Sequence, residues 1–157
     1  MIDSRDQMLR GLRAELQCPA SRVGFDYWNR IRESRALPLR SKFDPFDIPA
    51  ILPSVILLQV MRPDIDFLYR IVGSRWVDYF SRDDTRRLMS TIEHQKPPSM
   101  IWDANSRVVE TRMPLVPDLP YVGARAKYRE IECCLMPLSD RGEQVDYIFV
   151  TVDFRDV

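Results

Sequence analysis

Few side chains in this sequence are of the types that carry out catalysis, and those few are scattered along the chain. His94 is the single histidine among the 157 residues. A Ser-His-Asp or Cys-His catalytic set would have to use it. It lies in a polar stretch just before Pro97 and Pro98, where an exposed or half-buried loop histidine is the simplest interpretation. We therefore expect no catalytic activity.

The cysteines are poorly placed for a metal site or a disulfide. A structural zinc ion typically takes four Cys or His ligands, and this chain has three cysteines and one histidine in total, scattered along it. The adjacent pair Cys133 and Cys134 would point to opposite faces of a strand. We therefore expect no metal site, and the sequence names no cofactor. Few cysteines fit a reducing compartment, which favours a cytoplasmic location.

Paired carboxylates are the remaining candidates for acid–base chemistry. Glu130 and Glu132 alternate with apolar residues, so both should lie on the solvent-facing side of a strand. Solvated strand residues explain this pattern more simply than a catalytic pair does.

Arg70 is a charge in an unusual sequence setting. It lies within the apolar run from Phe67 to Val72, and burying a charge is costly unless it is paired. Residues 37–53, which we call the arm, contain four prolines and should form a wrapped, extended segment. The arm supplies Asp44 and Asp47 as candidate partners. We expect a structural clamp between Arg70 and these carboxylates rather than a site for an anionic ligand.

Length and composition narrow the class of protein. A chain of 157 residues suits one domain, and its formal net charge of zero does not suggest a nucleic-acid binder. No window approaches eighteen consecutive apolar residues, so we expect no transmembrane helix. The N-terminal residues are charged throughout and lack the apolar core of a signal peptide.

The spacing of apolar residues predicts four main helices. The first begins at Asp3 or Ser4 and ends at Cys18, and the others cover residues 21–34, 75–80 and 99–112, the last with Pro97 and Pro98 in its first turn. The first helix carries an apolar stripe of Met8, Leu9, Leu12 and Leu16. If the second helix covers the sheet, this stripe has no partner in its own chain and predicts a homodimer.

Runs of branched and aromatic residues predict five strands. Two of them, 55–61 and 66–72, flank a turn at Pro63-Asp64 and form a hairpin. Three more follow the long helix, at about 121–126, 128–138 and 145–154, with a turn at 139–143 between the last two. Two strands, then helices, then three strands is an α+β order.

Several short motifs follow one another along the chain. They are Trp28, Leu37-Pro38 with Arg40, Asp44-Pro45, Ile48-Pro49 with Ile51-Leu52-Pro53, Tyr69-Arg70 with Gly73, and Leu135-Met136-Pro137-Leu138-Ser139. In this order and spacing they resemble the PAS-like domain family common in alphaproteobacteria, over residues 25–154. Such domains usually carry a glycine in the turn after the hairpin, whereas residues 83–88 contain none.

The resemblance implies a fold and a function. The fold would be PAS-like α+β, an antiparallel five-stranded sheet with helices on one face and N-terminal helices added. Residues 1–24 would be a helical extension and residues 25–157 a single domain. The function would be that of a non-catalytic sensory or regulatory module in signal transduction, acting through a protein partner or a homodimer.

In a PAS-like fold, the inner face of the sheet and the long helix enclose a cavity. The residues expected to line it are Tyr69, Ile71, Trp76, Phe80, Trp102, Asn105, Val109, Cys133 and Leu135. All are large or apolar except Asn105, so a cavity there would favour a mostly apolar ligand with one hydrogen-bonding group. A core packed solid by these side chains is the other outcome.

Two further interpretations remain. Some haem-binding PAS domains use a histidine on or near the long helix, so His94 could be an axial ligand. The chain could instead be an NTF2-like α+β enzyme with Tyr, Asp and His in a pocket. The early hairpin and the late three-strand meander argue against that second alternative, because its elements normally begin with helices and continue into a larger curved sheet.

Overall fold

The computed structural model describes residues 3–119 and 128–156 as one antiparallel sheet with helices on both faces. The helices are α1 (Ser4–Glu15), α2 (Pro19–Arg32), α3 (Ser74–Phe80) and α4 (Met100–Thr111), and the strands are β1 (Val55–Met61), β2 (Asp66–Val72), β3 (Tyr128–Leu138) and β4 (Tyr147–Asp156). Short 3-10 helices at Arg40–Lys42, Pro45–Asp47, Pro49–Ser54 and Met89–Thr91 shape the connections. The predicted α+β class is confirmed.

The sheet has the order β2-β1-β4-β3, with every neighbouring pair antiparallel. Four strands lie within the described residues, and the strand predicted at 121–126 falls outside them. At the outer edge of β3, Leu115 and Leu135 exchange two backbone hydrogen bonds of 2.9 and 2.8 Å. The chain thus pairs with this edge just before the undescribed residues begin.

Both faces of the sheet are buried. One face packs against α3 and α4, and the other packs against α1, α2 and the arm. Alternation along β3 divides its side chains between the two cores: Cys133 and Leu135 face α3 and α4, while Cys134 and Met136 face α1 and α2. The central strands are therefore nearly continuous apolar runs rather than alternating ones.

The apolar stripe of α1 is covered by its own chain. Leu9 and Leu16 are buried against α2, and Leu12 packs beside them. Ion pairs of 2.8 Å (Arg13–Asp26) and 2.9 Å (Arg32–Asp6) join the two helices. The expectation that this stripe lacked a partner within the chain is therefore wrong, and only Met8 remains largely exposed, at 62%.

Glu132 also departs from expectation, because it is buried on the α1–α2 side of β3. Its carboxylate accepts backbone N–H bonds from Gln17 at 3.0 Å and from Cys18 at 2.9 Å. These two residues form the turn between α1 and α2. The acidic side chain therefore holds this turn against the sheet instead of facing water.

Helix α4 begins within one residue of its predicted start, but the predicted place of the two prolines in its first turn is wrong. Ser99 is the N-cap, and its Oγ accepts a hydrogen bond of 3.0 Å from the backbone N–H of Trp102. Pro97 and Pro98 therefore precede the helix rather than form its first turn.

Helix α2 approaches the sheet closely at Gly24. A Cβ atom built at this position would overlap Cγ2 of Thr151 on β4 and lie 3.4 Å from Cζ of Phe149. One turn later, Trp28 is fully buried and its Nε1 donates a 2.8 Å hydrogen bond to the carbonyl of Pro137. The absence of a side chain at Gly24 thus sets the distance between α2 and the sheet.

Replacing Gly24 and Gly11 by alanine should have opposite effects. Alanine is favoured over glycine within a helix by about 1 kcal/mol. At Gly24 this gain is outweighed, because the stiff, β-branched Thr151 cannot move aside, and we expect the free energy of unfolding to fall by about 1–3 kcal/mol.

Gly11 is the matched control, since it lies within α1 and nothing is within 4 Å of its added Cβ. Gly11→Ala should leave stability unchanged or raise it. Urea denaturation of both variants measures this difference, and a stabilised Gly24→Ala protein would contradict the close packing described here.

Candidate functional site

A cavity of about 190 Å³ lies beside the sheet, between the start of α4, α3 and β3. We call it the α3–α4 cavity. It is lined by Trp76, Phe80, His94, Gln95, Ser99, Met100, Ile101, Leu119, Ile131 and Cys133. Its walls are mainly apolar, with a few polar groups contributed by the segment that precedes α4.

The aromatic wall comes from α3. The rings of Trp76 and Phe80 lie 4.3 Å apart, and Trp76 also approaches the ring of Tyr69 at 6.4 Å. Nε1 of Trp76 donates a hydrogen bond of 3.1 Å to the carboxylate of Asp84. This bond fixes the orientation of the indole ring at the cavity.

Asp84 is a buried carboxylate whose charge is neutralised locally. Arg82 contacts it at 2.6 Å and Arg87 at 3.3 Å. The segment that carries these residues contains no glycine, and Arg86 adopts the left-handed conformation there, with φ of 71°. The backbone of this segment pairs with the outer edge of β2. The N–H of Arg86 donates to the carbonyl of Tyr69 at 2.8 Å, and the N–H of Tyr69 donates to the carbonyl of Arg87 at 3.0 Å.

Tyr69 and Gln95 form a buried polar pair on the cavity side of the sheet. The Tyr69 hydroxyl donates to Oε1 of Gln95. Burial raises the pKa of Tyr69, and the nearby charge of Asp84 raises it further. Burial likewise raises the pKa of the Cys133 thiol to about 12, so that both groups stay protonated in the folded protein near neutral pH.

Asn105 brings an unpaired polar atom to the same core. Its Nδ2 donates a 2.9 Å hydrogen bond to the carbonyl of Ile101, whereas its buried Oδ1 has no partner among the residues that the structure describes. It borders a second void of about 20 Å³, which shares Trp76, Ile101 and Cys133 with the larger cavity. A void of that size has room for one water molecule.

The nine residues predicted to line a ligand cavity lie in four places. Trp76, Phe80 and Cys133 line the α3–α4 cavity, and Tyr69, Asn105 and Leu135 border the small void. Trp102 and Val109 pack against the same core but border neither space, with Trp102 edge-on to Phe67 at 5.2 Å. That any of them binds a ligand stays a prediction.

Ile71, the ninth, lies on the other face of the sheet, against the α1–α2 core. Simple alternation placed it beside Tyr69, and this is wrong because β2 contains a bulge. Leu57 pairs with Ile71 and Leu58 pairs with Tyr69, so Arg70 has no partner in the ladder. One extra residue in a strand reverses the alternation beyond it.

The same bulge explains why the predicted Arg70 clamp is wrong. Arg70 is exposed, and in the part of the chain that the structure describes it pairs with neither Asp44 nor Asp47. Since the side chain is not buried, it needs no counter-ion.

Tyr27 of α2 holds the arm instead. Its hydroxyl accepts a 2.8 Å hydrogen bond from the backbone N–H of Asp44 and lies 3.0 Å from Oδ2 of Asp47. Its ring packs edge-on against Phe149 at 6.4 Å and tilted against Phe43 at 6.0 Å. Asp44 and Asp47, the two acidic residues of the predicted clamp, thus contact Tyr27 rather than Arg70.

The sequence interpretation missed the polar edge of the cavity. Gln95 and Ser99 precede a helix in a polar stretch, where no periodicity marks a buried residue. His94 is exposed, as expected, but it also lines the cavity, with Nε2 at 3.2 Å from Nη2 of Arg82. Partial desolvation of the imidazole and the neighbouring Arg82 charge lower the pKa of His94, which favours the neutral ring at pH 7.

The antiparallel sheet has helices on both faces and a cavity on one of them, which is an α+β arrangement. A family model described as PAS domain matches residues 16–151. The chain therefore belongs to the PAS domain family, which confirms the resemblance found in the sequence and replaces the NTF2-like alternative. Comparison with curated proteins found no match, and comparison with solved structures found none either.

Membership of this family indicates a sensory or regulatory module, because PAS domains are generally non-catalytic and commonly mediate protein interactions and dimerisation. None of the helices within the described residues is long and apolar enough to cross a membrane. Those residues also include no group of three or more Cys, His, Asp or Glu side chains that could hold a metal ion.

The contrast between Tyr27 and Arg70 is testable by unfolding. Tyr27→Phe leaves the backbone N–H of Asp44 without its partner, and we expect it to lower the free energy of unfolding by about 1–3 kcal/mol. Arg70→Gln changes an exposed residue and should stay within about 0.5 kcal/mol. Urea denaturation of the two variants measures this, and a larger loss in Arg70→Gln would restore the arginine clamp.

The buried phenol of Tyr69 and the buried thiol of Cys133 predict a loss of stability at alkaline pH. Their pKa values are raised in the folded state, so the unfolded chain releases these protons first and binds fewer of them above about pH 8.5. The free energy of unfolding should therefore fall as the pH rises from about 8.5 to about 10.5. Urea denaturation across this range should show a smaller slope for Tyr69→Phe, and a flat profile for the unmodified protein would contradict the burial.

Proposed function

We propose that the protein is a non-catalytic sensory module that holds a small, mostly apolar molecule in the α3–α4 cavity. In this proposal the signal passes through contact with other proteins, including a second copy of the chain. The observation that carries the proposal is a cavity of about 190 Å³ with mainly apolar walls beside the core that α3 and α4 form with the sheet.

The dimensions of the cavity favour a compact ligand. Pockets for drug-sized ligands usually measure about 300–1,000 Å³, and this one is smaller. Its lining combines aromatic and aliphatic side chains with a few polar atoms. Such a site selects a ligand mainly by its shape, and one or two hydrogen bonds fix the orientation of the ligand. Exposed Met100 at its border offers a flexible entrance.

A haem is not supported by this site. A porphyrin is larger than the cavity, and Nε2 of His94, the nitrogen that would face a metal, lies against the Arg82 guanidinium. A nucleic-acid partner is not supported either, because the formal net charge of the chain is zero.

Exposed apolar side chains support the protein-contact part of the proposal. Phe46, at the tip of the arm, is 77% exposed, and Met8 on α1 is 62% exposed. Aromatic residues and methionine are enriched at protein interfaces. We propose a homodimer together with a separate signalling partner, in the cytoplasm, where the three buried cysteines would stay reduced.

Native mass spectrometry of the full chain tests both parts at once. We expect the mass of two chains plus a small additional mass that is lost on denaturation. Cys133→Met, which fills the cavity, should remove the additional mass but keep the dimer. Cys134→Ala is the matched control, because its side chain lies on the opposite face of β3.

A single chain without added mass would contradict the proposed homodimer. If, in addition, no compound in a library of small apolar molecules changed the tryptophan fluorescence of the protein, the cavity would not be a ligand site.

A further inference from the structure

Gln95 brings a hydrogen-bond donor to the α3–α4 cavity. It is only 2% exposed, lines the cavity, and uses Oε1 to accept the bond from Tyr69. Its Nε2 donates to no other group among the residues that the structure describes. Because the residue is otherwise enclosed, the N–H groups of this amide open on the cavity.

The orientation of the Gln95 amide follows from its neighbours. The Tyr69 hydroxyl is buried and needs an acceptor for its hydrogen, which only the oxygen end of an amide can provide. The backbone of Gln95 is fixed as well, since its carbonyl accepts a hydrogen bond of 2.6 Å from Oγ of Ser99, the N-cap of α4. The donor is therefore held in place before any ligand arrives.

The charges around the cavity disfavour an anion. The carboxylate of Asp84 accepts the hydrogen bond from Trp76 and is already paired with Arg82 and Arg87. Among the described lining residues, His94 is the one side chain that can become a cation, and it faces the Arg82 guanidinium. A carboxylate in the cavity would lose its water without gaining a counter-ion.

We infer that Gln95 selects neutral molecules that carry a carbonyl-type acceptor, such as a ketone, an ester or an amide. Hydrocarbons of the same size should bind less tightly, because they leave the N–H unpaired. Carboxylates should also bind less tightly, because their charge stays unpaired. This inference rests on the proposed function, because it assigns the chemistry of the ligand in the same cavity.

Three probes of similar size test the assignment: acetophenone, ethylbenzene and benzoate. Titration followed by tryptophan fluorescence should show acetophenone binding about tenfold more tightly than ethylbenzene, the effect of one buried hydrogen bond, with benzoate the weakest. In a ¹⁵N-resolved NMR spectrum, acetophenone should shift the side-chain amide signal of Gln95 more than ethylbenzene does.

A double variant, Tyr69→Phe with Gln95→Met, removes the donor without leaving a buried hydroxyl unpaired. It should bind the two neutral probes with equal affinity, so that the preference for acetophenone is lost. Tyr69→Phe alone keeps the amide but removes the hydrogen bond that orients it, so the preference for acetophenone should shrink without being lost. Thermal unfolding of both variants establishes that they remain folded.

Equal affinities of the unmodified protein for acetophenone and ethylbenzene would overturn the role of Gln95 while leaving the cavity as a binding site. A double variant that kept the preference for acetophenone would overturn that role as well. If none of the three probes bound, the proposed function and this inference would fail together.

Discussion

Burial of the sheet on both faces is the constraint on which the rest of this structure depends. The central strands β1 and β4 have helices on each side, so nearly every residue along them belongs to one of two cores. Helices can cover both faces only if they approach closely, which is why Gly24 of α2 meets Thr151. Glu132 is tolerated between α2 and β3 because backbone N–H groups satisfy its oxygens.

The α3–α4 cavity arises where this two-sided packing is incomplete. On the α1–α2 side, the aromatic rings of Tyr27, Phe43 and Phe149 interlock at distances of 4.8–6.4 Å. On the other side, the segment before α4 contributes amide and hydroxyl groups that cannot fill space as rings do. An unpaired buried acceptor such as Oδ1 of Asn105 costs about 1–3 kcal/mol, and the small void beside it has room for a water molecule that would pair with it.

Much of the fold could be predicted from the sequence, and the failures have physical causes. The bounds of β1, β2 and β3 match their predictions residue for residue, because each strand is an apolar run between turn residues. The bulge at Arg70 was not predictable, since alternation assumes an unbroken ladder. An arginine in an apolar run suggested a buried ion pair, whereas the backbone places it in water. Glu132 was misjudged and Gln95 was missed for a related reason, because their burial depends on segments distant in sequence.

The polar wall of the cavity is rigid for reasons that bear on binding. Tyr69 lies on a strand whose outer edge is paired, Gln95 is fixed at both its side chain and its carbonyl, and Trp76 is anchored on Asp84. Each group is thus ordered during folding rather than during ligand binding. Ordering a flexible side chain on binding costs about 0.5–1.5 kcal/mol. A small ligand makes few contacts and cannot offset several such costs, so the discrimination proposed for this cavity depends on a wall that is already formed before binding.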